Sequence, residues 1–237
     1  MIRAVLFDVD GTLYHQEPLR LLMAGELGAG AWVRHAPWNV PRLWRMLSVF
    51  RRVREELRGL GRPDEPLARL QYTRAAERAG VPVNEMEAAV EEWIYKRPLK
   101  YLPRVVRSGM GEVLSGLNAR GLQVGAFSDY PVSDKLDAMG LRAAVSLELD
   151  ATAESVNAFK PHPRGLEVAC QRWGMSPSDV LYVGDRAEVD AKGAAALGMP
   201  CAIVGGSGAG DTSPWPHTRL RRMRDLPTHI EGFGGSC

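Results

Sequence analysis

The chain has 237 residues, 45% of them apolar and 24% charged, the balance of a soluble globular protein whose core needs neither disulfides nor a structural metal. This composition excludes a disordered chain, a collagen-like fibre and a small disulfide scaffold. With 30 basic and 28 acidic residues the net charge is +2, so overall charge makes no case for a nucleic-acid partner. Only five of the basic residues are Lys.

Cys170, Cys201 and Cys237 lack Cys-x-x-Cys spacing and read as reduced thiols. The apolar run before Asp8 is too short for a signal peptide, and no stretch of about 18 apolar residues occurs. A cytoplasmic protein without a membrane span is expected.

Ala4–Val9 is a short apolar run of the kind buried on both faces of a parallel sheet. From Tyr14 to Tyr101 the strand signal is absent and the sequence reads as helices only. Leu43, Met46, Leu47, Phe50, Val53 and Leu57 recur at helical spacing and mark an amphipathic helix. Leu67–Ala79 and Asn84–Tyr95 predict two more. Pro18 lies near the start of this stretch, and Pro98 and Pro103 flank its end.

Strand-like runs return at Leu122–Ser128, Val145–Leu149, Val180–Gly184 and Cys201–Gly205. Helical stretches fall at Arg104–Arg120, Pro131–Met139, Pro163–Trp173 and Ala187–Leu197. Gly121, Gly140, Gly174 and Gly198 stand where helices end. Gly205–Pro216 reads as a surface loop, and Gly206–Gly210 within it lacks the full dinucleotide fingerprint. The alternation predicts an open α/β sheet with helices on both faces, interrupted by an all-helical cap.

Four polar clusters follow. In Asp8-Val9-Asp10-Gly11-Thr12, the two acids can share one face of an extended strand, where their repulsion calls for a hard cation such as Mg²⁺, the alternative being a strand that ends on two capping aspartates. Ser128-Asp129-Tyr130-Pro131 offers a hydroxyl and backbone N–H groups before a helix, which suits an anion but also an ordinary N-cap. Lys160-Pro161-His162-Pro163 fixes one of the few lysines in a stiff turn, where an ammonium can offset phosphoryl charge or simply be a solvated surface group. His162 reads as a turn residue. Gly184-Asp185 ends a strand, with Asp185 a candidate metal ligand and Asp190 a supporting carboxylate, or both acids simply favouring a helix N-terminus. The first, second and fourth clusters lie just past strands, where open α/β sheets place their ligands.

Taken in order, these motifs resemble those of the haloacid dehalogenase superfamily of hydrolases, through Asp8, Asp10, Gly11, Thr12, Ser128, Lys160, Asp185 and Asp190. The resemblance implies a Rossmann-like α/β core over residues 1–14 and 101–237, with a helical cap over residues 15–100. It implies that Asp8 is the nucleophile and forms an aspartyl-phosphate. Asp10 would be the general acid and base. Asp8, the Asp10 backbone carbonyl and Asp185 would hold Mg²⁺, Ser128, Asp129 and Lys160 would meet the phosphoryl group, and Asp190 and Thr12 would support them.

Relatives that dehalogenate lack an acid at the place of Asp10, so its presence implies phosphoryl chemistry. Many relatives carry Asn where this chain has Asp129, an extra carboxylate that either turns away or tightens selection. The expected function is a Mg²⁺-dependent phosphatase for a small phosphorylated metabolite, as monomer or homodimer and without nucleic acid. The alternatives are a phosphomutase or phosphotransferase, and a non-enzymatic protein binding through its cap.

The cap is Arg-rich: Trp32 to Arg62 holds eight Arg and two Glu, and four of the six Trp (Trp32, Trp38, Trp44 and Trp93) lie in the insert. An Arg could clamp an acidic substrate group, or this face could meet a membrane surface or nucleic acid. The simplest expectation is a solvated face opposite an aromatic core.

Overall fold

Six parallel strands in the order β3-β2-β1-β4-β5-β6 form the sheet. They are β1 (Ala4–Asp8), β2 (Gln123–Ser128), β3 (Leu147–Asp150), β4 (Val180–Gly184), β5 (Cys201–Val204) and β6 (Thr218–Leu220). The computed structural model describes residues 1–33, 39–205 and 213–232, and of residues 29–33 and 39 the backbone only. The side chain of Trp32, and Arg34, Trp38, Gly206–Gly210 and Cys237, fall outside that description. Cys170 and Cys201 are free and buried. No described helix is long and apolar enough to cross a membrane.

The central strands are buried along their whole length, as their continuous apolar runs require. β1 pairs with β2 on one side and β4 on the other. The order reverses there, so the carboxyl ends of β1 and β4 flank the crevice of the sheet.

The cap follows β1. It comprises α1 (Gln16–Val33), α2 (Asn39–Arg58), α3 (Leu67–Ala79) and α4 (Val83–Val90), which widens into a π-helical stretch over Glu91–Lys96. The predicted stripe on α2 holds: Met46, Leu47, Phe50, Val53 and Leu57 are buried, and Leu43 packs beside them. They join one continuous core with Phe127, Phe159 and Leu166 on one face of the sheet.

The core resumes with α5 (Leu102–Val105) and α6 (Met110–Ala119), where the sequence predicts one helix over Arg104–Arg120. The break has a tertiary cause. Val106 pairs antiparallel with Tyr14, and Arg107 N–H donates to the Leu13 carbonyl at 3.0 Å, so the two chain crossings between cap and core brace each other.

The rest of the core carries α7 (Ser133–Ala138), α8 (Arg164–Trp173), a π-helical turn at Ala187–Ala191 leading into α9 (Lys192–Ala195), and α10 (Leu226–Gly232). Gly174 closes α8 at φ 60°, as its place in the sequence predicts. β6 and α10 are too short to announce themselves by periodicity.

Gly165 shows how tightly α8 meets the sheet: a Cβ there would lie 2.1 Å from Phe127 Cζ. Gly165→Ala is therefore expected to cost about 1–3 kcal/mol through overpacking. Urea unfolding should show a lower midpoint with an unchanged slope.

Candidate active site

The residues singled out in the sequence converge at the carboxyl ends of β1, β2 and β4. Asp8 ends β1 and is buried. Thr12 donates to Asp8 Oδ2 at 2.8 Å, and Lys160 Nζ donates to Oδ1, so both oxygens are held. Gly11 makes the turn between them at φ 96°, and a Cβ there would lie 2.0 Å from Asp185 Oδ2. Glycine is thus required both by the backbone and by the close approach of Asp185.

Lys160 also donates to Asp190 Oδ1 at 2.9 Å and to the Tyr182 hydroxyl at 3.2 Å. Asp190 Oδ2 accepts the N–H groups of Asp185 and Arg186 at 3.2 and 3.1 Å. It thereby shapes the loop after β4 and orients the lysine together. A Cβ at Gly184 would lie 2.4 Å from Asp190 Cγ, which explains the glycine before Asp185.

Asp10 has a different set of partners. Ser128 donates to its Oδ2 at 2.5 Å, and Tyr14 and Lys135 donate to its Oδ1. Burial would raise this carboxyl, but Lys135, Ser128 and Tyr14 outweigh it and hold it down at about 2. Asp8 goes the opposite way. Burial raises it most, Lys160 lowers it, and Asp190, Asp185 and Asp10 push it up again, to about 8. Asp185 is raised to about 6, by burial first and then by Asp190.

Carboxylate oxygens of Asp8, Asp185 and Asp190 lie within 4.8 Å of one another. Two of these three acids are pushed toward neutrality by burial and mutual repulsion, and all their ligand atoms are hard oxygens. A site with this deficit of positive charge fits a small divalent cation. Asp190 already serves Lys160 and two backbone N–H groups, which leaves Asp8 and Asp185 as the side chains facing such an ion.

Both carboxylate oxygens of Asp129 are engaged within the protein. Its Oδ1 accepts the Lys160 N–H at 3.0 Å, and its Oδ2 pairs with Arg58 of α2 at 2.6 Å. Arg58 also donates to the Lys160 carbonyl. Arg54, one turn earlier, donates to the Asp129 carbonyl at 2.6 Å and to Gln71 at 2.5 Å. Its guanidinium lies 4.0 Å from the Tyr130 ring centroid and 4.4 Å from that of Phe159. His162 Nδ1 accepts the Arg164 N–H, as a turn residue does.

Sequence reasoning missed Tyr14, Arg54, Arg58, Lys135 and Tyr182. The scarcity of lysine that singled out Lys160 applies equally to Lys135, which is also buried. The others carried no local signal. Arg54 and Arg58 look like part of a solvated basic face until α2 is docked, whereas Arg45, Arg51 and Arg52 are exposed.

The family model described as "Hydrolase: haloacid dehalogenase-like hydrolase" matches residues 2–198. A phosphoglycolate phosphatase of Salmonella choleraesuis (strain SC-B67) is 29% identical, with 84% of this chain and 79% of that protein covered. One of Escherichia coli O157:H7 is 28% identical over the same shares. A 2-haloacid dehalogenase from Pseudomonas syringae pv. Tomato DC3000 superposes with TM-score 0.69 at 21% identity, covering 98% of this chain and all of that one. A HAD phosphatase from Thermococcus onnurineus gives TM-score 0.62 at 21% identity, covering 98% and 99%. The shared fold therefore accommodates both chemistries.

The Arg58–Asp129 pair generates a stability test. Arg58→Met should cost about 3 kcal/mol, because it leaves Asp129 buried without its cation. Asp129→Asn keeps an oxygen for the Lys160 N–H and should cost less. The double variant should lose less than the sum of the two, as a urea-denaturation double-mutant cycle would show.

Proposed function

The chain belongs to the haloacid dehalogenase-like hydrolase family, and from that premise we propose that it is a Mg²⁺-dependent phosphatase acting through an aspartyl-phosphate on Asp8. The observation that carries this reading is Asp10. Two residues beyond the nucleophile, a second carboxylate opens on the same cavity and is oriented by Ser128, Tyr14 and Lys135. Cleaving a carbon–halogen bond gives such a group nothing to protonate, whereas a phosphate ester leaves as an alkoxide that needs a proton. The phosphatase names of the curated relatives support the same choice.

In the first half-reaction an oxygen of Asp8 bonds to phosphorus as the ester P–O bond breaks, and Asp10 gives its proton to the leaving oxygen. At rest Lys135 keeps Asp10 ionised. A doubly charged phosphoryl group brought beside it opposes that effect and pushes the carboxyl toward its protonated form. In the second half-reaction water attacks phosphorus, gives a proton to Asp10 and releases Asp8.

Thr12 and Lys160 aim the Asp8 carboxylate, while Ser128, the Asp129 N–H and Lys160 neutralise and position phosphoryl oxygens. Asp8, Asp185 and the Asp10 carbonyl would hold Mg²⁺, whose charge lets one anion approach another.

Phosphate release from an aryl phosphate should require Mg²⁺ and stop with a chelator. Asp8→Asn should abolish turnover, and Asp10→Asn should lower kcat by about 10²–10⁴-fold. Turnover surviving Asp8→Asn would overturn the mechanism. Arg45 and Arg52 do not line the cavity, so alanine at either should leave KM unchanged in the same assay.

A further inference from the structure

Resting on the phosphatase reading, we propose that the group esterified to phosphate is bulky and apolar, an alkyl or aryl moiety, and not a short acid such as glycolate. Three observations on the cavity carry this.

The first is size. One cavity of about 710 Å³ joins Asp8, Asp10 and Lys160 to the cap. That is the scale of pockets that enclose whole drug-sized ligands. A two-carbon acid would leave most of it to water.

The second is the wall. On the cap side it is built from Leu27, Trp44, Leu47, Trp93, Ile94 and Leu99. Trp44 is 56% exposed, and Leu21, which also lines the cavity, is 75% exposed. Large apolar side chains left in water around a concave site are covered when the ligand arrives. The π-helical stretch Glu91–Lys96 turns Trp93, Ile94 and Tyr95 into the same wall.

The third is the state of the cations. A substrate with a second acidic group needs a free one to meet it. Among those lining the cavity, Arg58 pairs with Asp129, Lys135 with Asp10, and Lys160 with Asp8 and Asp190, while Arg54 donates to the neutral Gln71 amide and the Asp129 carbonyl. Arg186 pairs with Glu188, and Arg20 binds Gln16. Among the described residues only Arg51 in this lining has no such bond, and it is exposed. Behind the phosphoryl site, Arg20, Arg51 and Arg54 have no carboxylate partner among the described residues, but Arg54 is buried with its N–H groups on Gln71 and the Asp129 carbonyl and the other two are exposed, so the enclosed wall there is mainly hydrocarbon.

The test is a homologous series with one leaving-group chemistry: ethyl, butyl and hexyl phosphate with Mg²⁺, alongside phosphoglycolate. Ethyl and hexyl phosphonate, which cannot be hydrolysed, are titrated by calorimetry. Each methylene withdrawn from water contributes up to about fourfold, so kcat/KM should rise at least about tenfold from ethyl to hexyl phosphate. Hexyl phosphonate should bind correspondingly tighter, and phosphoglycolate should fall below hexyl phosphate. Trp44→Gln, a change at an exposed position, should shrink the hexyl-to-ethyl ratio by about threefold.

A flat series with phosphate still released, or phosphoglycolate as the better substrate, overturns the apolar assignment and leaves the phosphatase reading standing. Phosphonate affinity that rises with chain length, with no ester hydrolysed, supports the apolar pocket and overturns the phosphatase reading.

Discussion

Four carboxylates, Asp8, Asp10, Asp185 and Asp190, are brought together at the ends of two neighbouring strands, where burial makes like charges costly. Much of the surrounding architecture answers that cost. Lys160 is shared between Asp8 and Asp190, and Lys135 is given to Asp10. Asp190 spends its second oxygen on the N–H groups that begin the turn after β4. Three carboxylates, Asp8, Asp185 and Asp190, nevertheless share one lysine, and that excess of negative charge in the crevice fits a small divalent cation. The two acids of the first motif consequently differ, one raised and one lowered.

The same constraint reaches into the cap. Lys160 is placed by a loop whose backbone N–H is held by Asp129 and whose carbonyl is held by Arg58. Arg58 and Arg54 both belong to α2, whose apolar stripe is continuous with the core beneath the sheet. Asn157 adds a further tie, accepting the Leu67 N–H and donating to the Pro63 and Glu65 carbonyls. The α2 helix is thus tied to the core and walls the cavity, and two of its arginines work inward. Asp129, the departure from the pattern of many relatives, is the core's half of that joint.

The strands of the sheet were legible because a strand buried on both faces must be a short apolar run, and such runs are local in sequence. β1 to β5 therefore appear close to where the runs predict them, and α2 where its apolar spacing does. The motif acids and Lys160 were legible for a related reason, since residue type and order along the chain mark them out. The elements that escaped are those whose cause is distant. Helix Arg104–Arg120 is broken by pairing with Tyr14, some ninety residues earlier in the chain. β6 exists because β5 offers it an edge. Lys135 gains meaning only when α7 carries it to Asp10.

Residue type and spacing alone were enough for the α/β alternation, the helical interruption and the polar groups that the fold brings together at the strand ends, because each of these is written in a few contiguous residues. Distance along the chain hides the rest. Which carboxylate is raised and which lowered depends on burial and on cations arriving from other elements. So does the fate of the Arg-rich stretch: Arg54 and Arg58 are drawn inward by a loop carbonyl, an amide, an aromatic pair and one aspartate, while Arg45 and Arg52 stay in water. The apolar lining of the cavity is likewise a product of docking. The side chains that form it come from helices whose sequence patterns say only that one face is apolar, and not what that face will meet.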